Sequence, residues 1–567
     1  MANPERFTLS ARRLGPLPII NHFIEKLGLE DLLEQFVPTR SARTKLRYSR
    51  ALGVLLRSIL VEREPIYRQQ EMVETFTPEV FGISAEEFEA LSDDGVGRAL
   101  DRLFVADRGS LLTAVVVEAA KRFEIEFDEL HNDSTSVKFC GQYKAAKGRS
   151  IRGRRAPWIT HGFSKDHRPD LKQLLFILTT SADGNVPVQF RCEDGNTSDS
   201  TTHLETWKTL CEISGRSDFL YVADSKLCSM ETMEAINDEG GRFVTVLPRA
   251  RQEDRQFRKW IQENEPKWET VWDRSNPRRK YGPRDVWKVY RQVVPSQENW
   301  PITWVFSTLS RLHQQSSRQD RLTRGVQEIE KLQAQLEGPR PRMRSVFKIE
   351  EKVDEIISRL HIRAYLRAWV VEESEDRFRQ ETPGRPGKDT RYRRERRKRL
   401  SLVYEIDEEA IAYDKKSDGM YPLLTNDRKL TPTEVLEAHK RQPEIEKRFE
   451  QAKTVHEIAP VFLKNEGRIE ALFFLYFLAL LVQGLVERQV RSQMDEDGIE
   501  NLPLYPEDRL CRRPTARRIF QLFSVVQGNV LREHGRVARV FQPEFTELQR
   551  ELLKLLELPP RAYDISA

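Results

Sequence analysis

Three acids stand in settings where they could do chemistry together: Asp133 in Leu-His-Asn-Asp-Ser-Thr-Ser, Asp224 closing Phe-Leu-Tyr-Val-Ala-Asp, and Glu446 in Arg-Gln-Pro-Glu-Ile-Glu-Lys-Arg-Phe-Glu-Gln-Ala-Lys. Carboxylate oxygens are the ligands a hard ion such as Mg²⁺ takes, and a triad drawn from two strands and a helix can hold two such ions about a phosphodiester. The arrangement reads as a DNA-cutting site. The chain carries 88 Asp and Glu, so the acids gain meaning only from the elements that position them.

Asp133 lies in an extended, alternating stretch from Glu129 to Phe139, with His131 two residues earlier on the same strand face. A second strand is predicted over 173–181, a hairpin at Asp183-Gly184-Asn185, and a third strand over 186–190. A helix follows the turn at Gly195-Asn196, running to about Ile213, and a short apolar strand from Phe219 to Ala223 delivers Asp224. Another helix over about 229–238, a Gly240-Gly241 stop and a strand over 243–247 complete the unit. The order βββ-α-β-α-β is that of the ribonuclease H fold, with one aspartate on the first strand and one after the fourth.

With those motifs in place, the chain resembles the DDE transposases of bacterial insertion sequences, in the group whose last acid sits in a Tyr-x2-Arg-x3-Glu-x6-Lys signature. Glu446 and Lys453 keep the Glu-x6-Lys spacing, which in one helix puts both on one face. Glu450 lies a turn beyond Glu446 and periodicity does not separate the two; the signature selects Glu446. The tyrosine position holds His439 and the arginine position Gln442, with Arg441 beside it. Asp418-Gly419, Thr425-Asn426, Gly162 to Asp170 and Gly195-Asn196-x-x-Asp199 also look like family motifs. The resemblance implies Asp133, Asp224 and Glu446 as catalytic metal ligands for two Mg²⁺ or Mn²⁺ ions, His439, Gln442 and His131 as their supporting neighbours, and Lys453, Arg441 and Lys165 near DNA phosphates. It implies cutting of the element's ends and their joining to target DNA. The partners would be terminal inverted repeats and target DNA, handled by a homodimer or larger oligomer. A ribonuclease H-fold nuclease acting on DNA junctions and a domesticated DNA-binding protein are the alternatives; the first would not need a large insertion, and the second would be expected to lose acids.

The acids at 224 and 446 are 222 positions apart, far more than a bare core needs, so an insertion is expected between them. Alternation in Val286–Val293 and Pro301–Phe306 predicts strands there, and apolar stripes at 322–336 and 353–360 predict a helical hairpin broken at Gly338-Pro339. Most of the tryptophans at 260, 268, 272, 287, 300 and 304 are expected to fill that domain's core. The chain divides as a helical DNA-end-binding region at 1–115, a first core part at 116–250, the insertion at 251–405, and a second core part with C-terminal helices at 406–567. The fold class is therefore α/β.

Charge is local more than global. Lys plus Arg number 93 and the formal net charge is only +5, but Arg385 to Arg399 holds nine Lys and Arg against Asp389 and Glu395. Such a run, including Arg393, Arg394, Arg396 and Arg397, favours phosphate contacts; the bland reading is a solvated loop. Five cysteines without a Cys-x-x-Cys pair argue for a reducing cytoplasm and against a zinc module. The apolar run Ala471–Val482 is too short to span a membrane and is expected as a buried helix behind the sheet. No phosphate-loop or Gly-x-Gly-x-x-Gly motif stands out, so no nucleotide cofactor is indicated.

Overall fold

The structure, a computed structural model, describes every residue except 1–6, 42, 141–142, 144–146, 164–167, 277–280, 338–342, 456–457, 459–462 and 567. Lys165 thus lies outside the described residues, as does the expected Gly338-Pro339 break. The chain is mixed α/β and separates into two units: one made of Met1–Val246, Thr425–Asp427 and Glu437–Ala567, the other of Leu247–Leu424 and Arg428–Leu436.

In the first unit five strands form a mixed sheet: β1 (Glu129–Phe139), β2 (Lys172–Ser181), β3 (Pro187–Glu193), β4 (Leu220–Ala223) and β5 (Arg242–Val246), in the order β3-β2-β1-β4-β5. The first three pair antiparallel, whereas β4 runs parallel to β1 and β5 parallel to β4. Helices α1 (His203–Ser214) and α2 (Met230–Asp238) make the two crossovers. Short apolar strands such as β4, with all four residues buried, suit a sheet covered on both faces. Asn426, of the Thr425-Asn426 motif, closes the start of β5: its Oδ1 accepts from Phe243 N at 3.0 Å and its Nδ2 donates to Gly241 O at 2.8 Å. Gly162 and Gly195 are glycines for a steric reason, since a Cβ on Gly162 would lie 1.8 Å from the carbonyl oxygen of Gly195.

The second unit carries α3 (Gln252–Trp260), an antiparallel set of strands β6 (Glu269–Arg274), β7 (Asp285–Arg291) and β8 (Ile302–Ser307), and helices α4 (Thr308–Glu337) and α5 (Val346–Arg359). Two long strands, β9 (Leu366–Gln380) and β10 (Tyr392–Ile406), pair as an antiparallel ribbon, and β11 (Met420–Thr425) pairs with β8. The expected helical hairpin is present, and Trp287, Trp300 and Trp304 are buried, with Trp304 stacked 3.7 Å from Phe257. Asp418 of the Asp418-Gly419 motif is buried against Arg318. The basic run, for which a loop was the bland expectation, falls largely within β10 and the turn before it.

Back in the first unit, α6 (Pro432–Arg441), only the last part of which belongs there, and α7 (Pro443–Glu450) are separate helices. Pro443 takes the first position of α7, where its missing N–H costs nothing, and it interrupts the hydrogen-bond ladder between α6 and α7. α8 (Glu466–Glu496) contains the apolar run, and every residue from Ala471 to Val482 is buried. It is the one helix among the described residues long and apolar enough to cross a membrane, and 94% of its most apolar window is buried inside the protein. Phe473 packs on Phe139 and Phe176, and Phe477 stacks on Phe190, so α8 covers β1, β2 and β3 as the sequence predicts. Residues 1–115, read from sequence as helical, include helices at Leu17–Leu27, Tyr48–Val61 and Asp93–Val105, but the first described residues form a strand. That strand, Phe7–Arg13, pairs with Gln527–Glu533 near the other end of the chain. Arg468 on α8 ties this helical region down through two bonds of 2.8 and 2.9 Å to Asp101.

Candidate active site

The parallel ladder between β1 and β4 runs Glu129–Leu220, Leu130–Tyr221, His131–Val222 and Asn132–Ala223. The next residue on each strand is Asp133 and Asp224. Adjacent strands lie about 4.8 Å apart, so Asp224, just past the end of β4, follows the ladder to the level of Asp133 in the middle of β1. Each is oriented by its own backbone: Asp133 Oδ1 accepts from Ser134 N at 2.7 Å, and Asp224 Oδ1 accepts from Lys226 N at 2.9 Å as the cap of a short 3₁₀ turn. The Asp224 carbonyl accepts from Thr245 Oγ1 at 2.6 Å, which fixes the strand end from the β5 side. The Asp224 side chain is 45% exposed, so the pair opens to solvent.

His203, at the start of α1, is a neighbour that the sequence does not single out. It is buried, its Nε2 lies 4.0 Å from Asp224 Oδ1, and its Nδ1 is 3.1 Å from the hydroxyl of Tyr221. Burial, and secondarily the Asp224 charge, pushes the Tyr221 phenol well above its ordinary pKa, so it stays a hydrogen-bond donor. Only the folding of α1 back over β4 brings His203 here, and no local spacing signals it.

The β1 residues at 129, 131 and 133 share one face by strand alternation. Over this face comes the junction of α6 and α7. Gln442 places its Oε1 3.0 Å from His131 Nδ1 and donates from Nε2 to Asn132 O at 2.8 Å. His131 Nε2 meets Glu129 Oε1 at 2.8 Å, and Arg441 grips both oxygens of Glu129 at 2.6 Å each. Both ring nitrogens of His131 thus face side-chain oxygens. Burial alone would raise the Glu129 pKa, but the bonds from His131 and Arg441 and their charges hold it at about 2. His439 sits close behind; burial, with Lys440 and His131 nearby, brings its pKa down to about 4. Glu129 enters the sequence reading only as the start of the strand, although its period-two spacing places it on the face of His131 and Asp133.

α7 is docked on the same face. Phe449 meets Phe176, a residue paired with Thr135 and so on the Asp133 side of the sheet, with ring centroids 6.4 Å apart. The turn after β2 holds the helix too: Asn185 Nδ2 donates to Glu444 O, and buried Arg448 donates to Asn185 O, both at 2.8 Å. Arg448 also pairs with buried Glu487 of α8 at 2.9 Å. Glu446 and Glu450 are both exposed. They part company in their surroundings: Glu450 lines a cavity of about 290 Å³ with Lys447, Arg513 and Arg517, and Glu446 does not. Glu446 instead lies one turn beyond Gln442, whose amide touches β1.

The helix past Glu446 is not uniform. Residues Gln451–Val455 form a π turn, so Lys453 lies on a widened turn and not on the continuous α-helical face that the Glu-x6-Lys spacing predicts. Among the described residues there is no group of three His, Cys, Asp or Glu placed to hold a metal ion. The structure therefore brings Asp133 and Asp224 together and places Glu446 on the helix above their face without closing a three-ligand cluster. The aspartates themselves are hard-oxygen donors of the kind that a divalent ion takes.

The expected DNA-contacting residues are scattered. Arg441 is engaged with Glu129, as described. Arg393 and Arg394 lie in β10 and are paired with Glu395 and Asp376. Arg396 and Arg397 stand in the same strand opposite Asp376 and Glu375.

Comparison with known proteins gives two family matches. Residues 9–117 match a domain family of unknown function, and residues 128–482 match the family described as transposase DDE domain. No curated protein matches the chain. The second match spans well over half of the chain and contains all three candidate acids, so the chain belongs to the DDE transposase family.

Proposed function

We propose that this protein cuts the ends of an insertion sequence and joins them to target DNA, using a ribonuclease H-like core and an aspartate pair completed by Glu446. The observation that carries the reading is the parallel pairing of β1 and β4, which brings Asp224, just past the end of β4, level with Asp133 in the middle of the adjacent strand. The strand order β3-β2-β1-β4-β5, with antiparallel β1, β2 and β3, supports the ribonuclease H-like assignment. Asp133 and Asp224 would hold divalent ions, Mg²⁺ or Mn²⁺, with Glu446 approaching from α7. Bound there, such ions supply charge stabilisation and an activated oxygen nucleophile for in-line displacement at phosphorus. Ser134 and Lys226 N–H groups keep the two carboxylates oriented, and Lys453 positions a phosphate of the cut end. Two copies of the chain would act on two ends in the cytoplasm, bringing together terminal repeats and target.

The test is strand cleavage and joining on end-containing duplexes with Mg²⁺ or Mn²⁺. Asp133→Asn and Asp224→Asn should each remove both activities and leave DNA binding in place. Normal turnover by either variant would sink the assignment. Nicking of branched DNA without joining would favour a structure-specific nuclease.

A further inference from the structure

The ribbon of β9 and β10 is anchored only at its base. Leu366 and Leu402 are buried with Leu322, Ile329, Ile349 and Val353 of α4 and α5. From the Glu372–Leu400 pair outward, the described residues are exposed or only half-buried over eight further pairs ending at Gln380–Tyr392. At about 3.3 Å per residue that is an arm of about 25 Å. A bare two-stranded hairpin is marginal in water, so an arm of this length calls for a partner.

Charge divides the arm in two. In the proximal part, 372–376 and 396–400, four acids oppose four cations: Glu373 faces Arg399, Glu375 faces Arg397, Asp376 faces Arg396, and Lys398 pairs with Glu372. In the distal part, 377–395, seven Lys and Arg stand against three Asp and Glu, a net of +4. Arg393 and Arg394 are already paired. Arg379, Arg385, Lys388 and Arg391 are exposed and make no side-chain hydrogen bond or ion pair among the described residues, and Arg377 is exposed opposite Glu395, whose carboxylate already pairs with Arg393. Two of these, Arg377 and Arg379, sit on β9, outside the basic run. On the opposite face of the ribbon, Phe378 is 64% and Tyr392 51% exposed, diagonal to each other in the ladder.

From this we infer that the distal half of the ribbon, and not the basic run as a whole, grips duplex DNA. Arg377, Arg379, Arg385, Lys388 and Arg391 contact phosphates while Phe378 and Tyr392 make apolar contact within a groove. A two-stranded ribbon matches the major groove in width, and the arm's cationic end complements the phosphates on its rims. The inference deepens the transposase reading by naming which residues hold the DNA, and it rests on that reading for its choice of partner.

The experiment measures binding of full-length protein to a labelled duplex of arbitrary sequence, about three helical turns long, across a series of salt concentrations. Arg377→Gln/Arg379→Gln/Arg391→Gln should flatten the salt dependence by about 0.9 unit of slope per contact, close to three in all. The charge-neutral control Glu373→Gln/Arg399→Gln should leave the slope unchanged. Phe378→Ala/Tyr392→Ala should weaken binding at every salt concentration without changing the slope. An unchanged slope in the triple variant, an equal fall in the control, or full affinity in the aromatic variant each overturns the inference. Since no cleavage is measured, a protein that cuts no DNA yet shows the expected slopes would refute the transposase reading and leave this inference standing.

Discussion

The aspartates and Glu446 are held by different physics. Asp133 and Asp224 belong to neighbouring strands whose ladder fixes their relative height to within a residue; a slip of one would turn the side chains to the other face. Glu446 rides on α7, a helix of eight residues fastened to the sheet by side chains: Gln442 at its start, Asn185 and Arg448 along one flank, Phe449 below. The strand pair is preformed. The position of Glu446 depends instead on those side-chain anchors, and among the described residues the three acids do not form a metal-holding cluster.

The largest effect expected from this contrast is at α7 itself. Glu446→Gln should eliminate cleavage and joining, Glu450→Gln should be nearly silent, and Lys453→Ala should mainly weaken holding of the cut end. The basis is that Glu450 faces the cavity shared with Arg513 and Arg517 whereas Glu446 follows Gln442 toward β1. A dead Glu450→Gln beside an active Glu446→Gln would mean that α7 presents its other flank to the aspartates.

Next in size is the anchor beneath the helix. Arg448→Ala leaves Glu487 buried, 3% exposed at its side chain, without the nearer of its two cations, and breaking one partner of such a pair costs about 3–5 kcal/mol. Denaturant unfolding should show that loss. A change below about 1 kcal/mol would mean that Arg491 and the Ala516 N–H, which also reach Glu487, hold its charge unaided.

What could be read in advance follows the same division. Alternation in β1, short apolar runs in β2 and β4, and the turn residues between them locate β1 to β5, with β3 running three residues further than expected, because strand patterns and turn chemistry are local signals. The interruption at Pro443 is legible in the sequence, but the Glu-x6-Lys spacing beyond it implies one regular helix from Glu446 to Lys453, and the π turn at Gln451–Val455 that departs from it has no local signature. β10 was illegible for a different reason: Tyr-Arg-Arg-Glu-Arg-Arg-Lys-Arg has charges on both faces and therefore no apolar period, and its strand character comes from pairing with β9. Phe7–Arg13 finds its partner some 520 residues away, beyond any window. The network of Glu129, His131, Gln442 and Arg441 needed the same long-range knowledge, since it joins residues about 310 positions apart.

That network gives a test through acid. Glu129 has a folded-state pKa of about 2, below the usual carboxylate value of about 4.3. The folded state therefore binds its proton less readily than the unfolded chain, and the stability it contributes is full above about 4.3 and is lost as pH falls toward 2. Glu129→Gln should lower the melting temperature at neutral pH and flatten its decline across that acid window. A variant that loses stability as steeply as the parent would place the acid sensitivity elsewhere.

The smallest effect expected is at Gln442, and it separates positioning from fold. Gln442→Ala removes one contact to His131 and one to the Asn132 carbonyl, and two ordinary hydrogen bonds contribute about 1–3 kcal/mol together. Arg448, Asn185 and Phe449 still dock α7, so the protein should stay folded, with a modestly lower melting temperature and unaltered affinity for duplex DNA. The rate of cleavage should fall nonetheless, because the turn that sets the height of Glu446 above Asp133 has lost its tie to β1. Higher divalent-ion concentration should recover part of that rate if ion binding draws the helix down, and it should recover none for Asp133→Asn, whose missing oxygen no movement of α7 replaces. Equal recovery in both would mean that strand and helix contribute alike, and the contrast drawn between them would fail.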